Sequence, residues 1–218
     1  MSGIATAIKE TRASVRVVGV EAEAMPTMRA ALREGQPVRI ESTRTIADGI
    51  GAGQVGELPF QVVSRYVDEV VTVDDEEIAE AILALLEQEK TVAEGAGAAP
   101  LAALLHRELG VVDRTVVLVI GGGNIDVNLL SRIIDRGLAK SGRIMLTRVT
   151  LPDRPGSLAQ LLAIIAEHEA NILRVDHERN AARLDLGQAS VEIQAETRGF
   201  EHVAQILDAI RAKGFGAT

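Results

Sequence analysis

Cysteine and tryptophan are both absent from this chain of 218 residues. Without cysteine there is no disulfide, no thiolate metal site and no sulfur nucleophile. Aromatic residues are scarce, with three Phe and one Tyr. The chain therefore lacks the stacking platforms that hold single-stranded nucleic acid. Positive charge is also short: 23 Lys and Arg stand against 31 Asp and Glu, a formal charge of −8. An acidic chain with no basic stripe is a poor partner for DNA, RNA or an anionic membrane. No apolar run has the length of a membrane span. The opening residues are too few and too mixed for a secretion signal, so the expected location is the cytoplasm. The histidines, His106, His168, His177 and His202, are never three to five residues apart. That spacing offers no zinc ladder, and each reads as solvated or locally bonded. No G-x-S-x-G elbow and no P-loop occurs. Lysine appears only at Lys9, Lys90, Lys140 and Lys213. A Schiff-base lysine needs a desolvated pocket. Lys9 and Lys213 lie near the chain ends, Lys140 lies in a linker, and Lys90 reads as a solvated cation at a helix end.

What is present is an ample apolar complement, 47% of residues, arranged as strands alternating with helices. Val15–Val20 reads as a strand ending at Glu21, Thr27–Arg33 as a short helix, and Val67–Val73 as a second strand. Asp74 and Asp75 cap a helix whose apolar face is Ile78, Ile82, Leu85 and Leu86. Further helices run through Leu101, Leu104 and Leu105, and from Leu129 to Leu138. Such alternation implies parallel βαβ units. Val116–Ile120 is an unbroken apolar run that meets Gly121, Gly122, Gly123 and Asn124. It reads as a strand buried on both faces at the centre of a parallel sheet. Ligands of open α/β sheets sit beyond such strand ends, but a plain strand-to-helix turn explains the glycines equally well. A literal G-x-G-x-x-G occurs at Gly51, Gly53 and Gly56. No apolar run precedes it and Pro59 follows closely, so the context for dinucleotide binding is missing.

The patterning changes after Ala139-Lys140-Ser141-Gly142. Arg143–Thr150 alternates polar with apolar residues, the mark of a strand with one wet face. The expected division is therefore 1–140 and 141–218. The second part reads β-α-β-β-α, a ferredoxin-like order whose last strand is short or missing. At the other end, Ile4 and Ile8 suggest a helix already under way, with no capping sequence before it. This carries the expectation of further chain upstream.

Three loops of small residues remain: Gly49–Gly56, Glu94–Ala99 and Gly121–Asn124. They suit a cleft that takes a planar group, and composition goes no further.

Several motifs in order resemble one family. They are Ser2-Gly3-Ile4-Ala5 with Lys9, Thr45-Ile46-Ala47-Asp48-Gly49, Asp74-Asp75-Glu76-Glu77-Ile78, Glu94-Gly95-Ala96-Gly97-Ala98-Ala99, and Gly122-Gly123-Asn124-Ile125-Asp126. Residues 1–140 resemble the carboxy-terminal half of the catalytic domain of threonine and serine dehydratases, pyridoxal-phosphate enzymes of the tryptophan-synthase-β type. Residues 143–218 resemble an ACT regulatory domain through Asp153-Arg154-Pro155-Gly156-Ser157-Leu158 and Ala170-Asn171-Ile172. The resemblance implies an α/β fold: a partial parallel-sheet domain followed by an α+β ferredoxin-like domain.

It also implies the chemistry. In the family, a lysine in the first half carries the cofactor, and a tetraglycine loop holds its phosphate at a helix start. Both would lie before Met1. This chain would supply the far wall of the pocket through Gly49, Glu94, Gly121, Gly122, Gly123 and Asn124. Gly121 stands where the family usually has a serine bonding the pyridine nitrogen, and glycine has no side-chain donor. Glu21 matches a carboxylate that binds a divalent ion in some relatives, but its companion is Thr27 here, so no metal is expected. An amino-acid effector would bind between two copies of the ACT unit, lined by Asp153, Gly156, Ser157, Leu158, Asn171 and Ile172. A ligand-free helix cap gives the same local chemistry.

The implied activity is conversion of L-threonine to 2-oxobutyrate and ammonia, with no catalytic residue on this chain and no activity alone. The alternatives are a non-catalytic amino-acid-binding protein and one half of a split enzyme. A homo-oligomer is expected in each case.

Overall fold

The computed structural model describes residues 1–41, 43–179 and 184–217. The chain divides into two units, Met1–Ile133 and Ile134–Thr218. The division falls inside α6 (Val127–Lys140), ahead of the change in patterning.

In the first unit, α1 (Ser2–Thr11) leads to β1 (Val18–Ala22), α2 (Thr27–Glu34), α3 (Glu57–Tyr66), β2 (Glu69–Val73), α4 (Asp75–Gln88) and α5 (Gly95–His106). The two strands pair in parallel, with Val18 opposite Glu69 and Ala22 opposite Val73. The start of α4 is set by reciprocal bonds. The Asp74 carboxylate accepts from the Glu77 amide at 2.8 Å, and the Glu77 carboxylate accepts from the Asp74 amide at 2.9 Å. Two otherwise orphaned donors are thereby satisfied. The buried face of α4 is Ile78, Ala81, Ile82 and Leu85, at the spacing read from the sequence. It packs with Ala98, Ala99, Ala102 and Ala103 of α5, whose small side chains let the helices approach closely.

Two features differ from the expected ones. Glu57–Tyr66 is helical although Pro59 lies within it. Pro59 is in the first turn, where its missing N–H has no intrahelical acceptor to lose. Val116–Ile120 forms no strand and belongs to no sheet among the described residues. Val117 and Val119 are 81% and 52% exposed. Only Leu118 and Ile120 are partly buried, and Ile120 packs on the core. The run has strand composition, but a strand buried on both faces needs neighbours on both edges, and none lies alongside here.

In the second unit, β3 (Ile144–Pro152), α7 (Ser157–Glu167), β4 (Asn171–Glu178), β5 (Gln188–Glu196), α8 (Phe200–Ala212) and β6 (Gly216–Ala217) follow in order. The sheet is antiparallel with strand order β4-β5-β3-β6. Met145, Thr147, Val149 and Leu151 of β3 face inward, while Leu146 and Arg148 are exposed. The helices α7 and α8 close one face over Leu161, Ile165, Ile206 and Ile210. The last strand is two residues long. His202 is buried and bonded at both nitrogens: Nδ1 accepts from the Arg198 amide at 3.0 Å, and Nε2 donates to the His168 carbonyl at 2.6 Å. No helix among the described residues is long and apolar enough to cross a membrane.

Candidate functional site

The wall in the first unit is built on three segments held together by close backbone contact. The first is Thr45–Gly49. The Asp75 carboxylate accepts from the Thr45 hydroxyl at 2.5 Å and from the Ile46 amide at 3.2 Å. The Thr45 hydroxyl oxygen in turn accepts from the Ala47 amide at 3.1 Å. Asp75 is free for this because Asp74 makes the helix cap. The second segment is the start of α5. A Cβ at Gly95 would overlap the Ile46 carbonyl, so glycine is required for the loop to sit there. The third is the run after Ile120. The Glu94 amide donates to the Gly122 carbonyl at 3.0 Å. A Cβ at Gly97 would lie 2.9 Å from that same oxygen.

Gly49, Glu94 and Gly122 are thus brought together. The Glu94 carboxylate lies against both glycines and makes no hydrogen bond or ion pair among the described residues. Gly123 is fixed by contact with the Val92 backbone, where a Cβ would come within 2.8 Å of the carbonyl. Gly121 differs: a Cβ built there meets nothing within 4 Å. Asn124, three residues on, is exposed. The residues therefore fit one side of a flat ring. Gly49 packs on Ala96 and Gly122 on the Glu94 carboxylate, that carboxylate has no partner among the described residues, and Gly121 leaves open space. Neither lysine of this unit lies on the wall. Lys9 pairs with Asp68 at 2.7 Å, and Lys90 Nζ donates to the Glu87 carbonyl at 2.6 Å.

Glu21 is the penultimate residue of β1 and is buried. Its carboxylate accepts from the Met28 amide at 2.6 Å and the Arg29 amide at 2.9 Å, at the start of α2. Burial pushes its pKa up, and the two amides oppose that shift. Both oxygens are thereby committed to backbone. Thr27, its companion, donates to the Ala52 carbonyl at 2.5 Å.

One link was not anticipated from sequence. Arg107 clamps the ends of three elements, donating to both Glu77 oxygens at 2.6 and 2.7 Å and to the Thr72 carbonyl at 2.8 Å. Although partial burial of Glu77 works in the opposite direction, bonding to Arg107 and to the Asp74 amide holds its carboxyl below the usual range. A single arginine after a helix carries no periodic signal that would have exposed this role.

In the second unit, the residues expected to bind an effector fall into two groups. Gly156 has φ 91° and leads into α7, with Ser157 and Leu158 in its first turn. Asp153 pairs with Arg179 at 3.2 Å and follows the Pro152 end of β3. Asn171 and Ile172 lie at the opposite end of the sheet. Asn171 is in register with Glu196, which is also opposite Ile144, while Pro152 is opposite Gln188. The length of β3 therefore separates the groups, roughly 27 Å at strand rise.

Comparison with known proteins finds two separate matches along the chain. Residues 1–122 match the family profile of pyridoxal-phosphate dependent enzymes, and residues 145–213 match the ACT domain. An L-threonine ammonia-lyase of Thermotoga maritima is 49% identical over 215 residues, covering 99% of this chain and 53% of that protein. One from Geobacter sulfurreducens is 45% identical, covering 99% of this chain and 54% of that protein. The chain thus spans about half the length of these curated relatives. Among solved structures, the T.th. threonine deaminase superposes with a TM-score of 0.54 at 38% identity, covering 57% of this chain and 42% of that one. Maize serine racemase gives a TM-score of 0.55 at 30% identity, covering 64% and 44%. The profile match covers more than half of the residues, so the chain belongs to the family of pyridoxal-phosphate dependent enzymes, with an ACT domain following.

Proposed function

We propose that this chain forms the far wall of the active site of an L-threonine ammonia-lyase, which converts L-threonine to 2-oxobutyrate and ammonia. The observation that carries this reading is the convergence of Gly49, Glu94 and Gly122 beside the open space at Gly121. Relatives bearing that name at 49% and 45% identity support it. Pyridoxal phosphate, when bound, withdraws electrons from the substrate's α-carbon. The residues of this chain do less. The open space at Gly121 gives the ring room, Gly49 and Gly122 let the Glu94 carboxylate sit against the wall, and that carboxylate presents an acceptor. Gly121, Gly123 and Asn124 shape the rim. Neither lysine of the first unit faces the wall to carry the cofactor or move the α-proton. The chain on its own is therefore inactive and acts with a lysine-bearing segment.

The test is direct. Purified chain, incubated with pyridoxal phosphate and L-threonine, is assayed for 2-oxobutyrate. No product above the protein-free control is expected, and steady turnover by the chain alone would overturn the reading. Activity restored by a separately supplied lysine-bearing half would establish a split enzyme.

A second reading has its own support. The carboxy-terminal unit has a complete core independent of the first, so it can act as an amino-acid-binding module. The two effector groups at opposite ends of one sheet are united by a second copy paired along the outer edge of β4, which carries no strand among the described residues. Calorimetry with isoleucine, valine, threonine and serine tests this. Heat from at least one of them is expected, and silence from all four counts against it.

A further inference from the structure

Going beyond the amino-acid-binding reading, we infer that the open face of the carboxy-terminal sheet docks a second copy of this chain, face to face about a two-fold axis. The helices α7 and α8 pack on one face of this sheet. The opposite face carries Leu146, which is 68% exposed, and a shallow depression of about 280 Å³. Leu146, Arg174, Glu192 and Gln194 line the depression, with Asp135 of α6 at its margin. All of these residues belong to the second unit.

Strand register arranges the charges of that face in rows. Leu146, Gln194 and Arg174 lie side by side on β3, β5 and β4. The next row is Arg148, Glu192 and Asp176. The first row is therefore positive, and the second, with two carboxylates against one guanidinium, is negative. Within the copy, Arg174 pairs with Asp176 at 2.6 Å and Arg148 with Glu192 at 2.8 Å. Flanking rows are Ile144, Glu196 and Asn171 on one side, and Thr150, Ser190 and Glu178 on the other.

Stacked sheets lie about 10 Å apart, so facing side chains interdigitate. A two-fold axis crossing the strands between the central rows lays each of them over the other row of the second copy. Arg174 then stands over Asp176, and Gln194 over Glu192. The Arg174–Asp176 pairs of the two copies close into a ring of alternating charge. Farther out, Asn171 meets Glu178 and Glu196 meets Ser190, a donor against a carboxylate each time. Arg148 comes over Leu146 and covers it with its aliphatic stem. Beside Leu146, the Asp135 carboxylate makes no hydrogen bond or ion pair among the described residues and can receive that guanidinium.

The alternative axis, running along β5, stacks Glu192 on Glu192 and Glu196 on Glu196. Like charges so placed oppose association, whereas a self-complementary patch is what a two-fold contact requires. Charge complementarity thus selects a second copy as the occupant and the crossing axis as its geometry. The docking leaves the outer edge of β4 open for the edge pairing described above.

The experiment follows the full chain by sedimentation velocity over a range of concentrations, at low and high salt. A concentration-dependent dimer that weakens with salt is expected. Gln194→Lys sets a cation over Glu192 and should tighten the dimer by about ten-fold, a gain that misfolding cannot produce. Leu146→Glu should weaken it by about ten-fold, with circular dichroism as the check on its fold. Leu146 is two strands away from the open edge of β4, so pairing at that edge is indifferent to it. A monomer at every concentration would overturn the inference. So would a dimer indifferent to both substitutions, a dimer weakened by Gln194→Lys, or a dimer abolished by Val117→Lys alone.

Discussion

β3 and the segment Val116–Ile120 are both rich in apolar residues, yet one is a central strand and the other is unpaired. β3 sits between β5 and β6, and its inward residues Met145, Val149 and Leu151 are covered by the unit's own helices. Val116–Ile120 has no strand beside it among the described residues, and Val117 is 81% exposed. Alternating patterning asks for one covered face, which two helices of the same unit can provide. Continuous apolar patterning asks for cover on both faces and partners on both edges. The second unit is thus complete in what it buries, whereas the first presents strand material with no strand beside it among the described residues of that unit.

Substitutions can sharpen that contrast. The largest effect is expected at Ile193, fully buried in β5. Ile193→Ala should cost about 2–5 kcal/mol through lost burial and a residual cavity. Denaturant unfolding followed by a probe in each unit should show loss of the carboxy-terminal transition alone. A matching fall in the other transition would show that the units unfold as one.

Next is Arg107→Ala. It removes the clamp on Glu77 and Thr72 and leaves a partly buried carboxylate unpaired. A loss of about 1–3 kcal/mol is expected, confined to the first unit. Hydrogen exchange should speed up at the start of α4. Unchanged exchange there would mean that the capping box holds this end without help.

Smaller effects separate two carboxylates by the sign of their pH dependence. Bonding to Lys9 and to the Val17 amide holds Asp68 below its ordinary value. Its contribution is therefore present above the unfolded pKa and is lost as pH falls through the folded one. Glu21 is raised, mainly by burial. Its contribution is present below the ordinary carboxylate range and is lost as pH rises through the raised value. Asp68→Asn should flatten the acid limb of the first unit's stability profile. Asp68 is partly exposed, so the change should not exceed about 1 kcal/mol. Glu21→Gln should remove a decline on the other side. Slopes of the same sign in both variants would contradict these assignments.

The smallest effect is expected at Val117. Val117→Lys should change stability by less than about 0.5 kcal/mol, because the side chain buries little here. A large loss would mean that another copy or chain covers this segment in solution.

The contrast also shows why some of the molecule was legible in its residues. Asp74 and Asp75 ahead of a helical apolar pattern announced the start of α4, because a cap depends on local chemistry. Alternation along Arg143–Thr150 announced a strand with one wet face for the same reason. The helix Glu57–Tyr66 was missed because Pro59 was weighed as a breaker without regard to its place in the first turn. The small-residue loops were visible as loops, but their meeting was not. Gly95 reads as one residue of a small-residue loop until the Ile46 carbonyl is found against it.

By itself, the sequence determined the kinds of element, the change in patterning between the two units, and the scarcity of amines and thiols. These follow from nearest-neighbour chemistry: periodicity, caps and composition. Only the tertiary structure decided which loops touch, which carboxylates are clamped, and which glycine leaves open space. It separated Gly156 and Ser157 from Asn171 and Ile172 by the length of a strand, and it left Val116–Ile120 without partners. Those outcomes depend on contacts between residues distant in the chain, which no local spacing encodes.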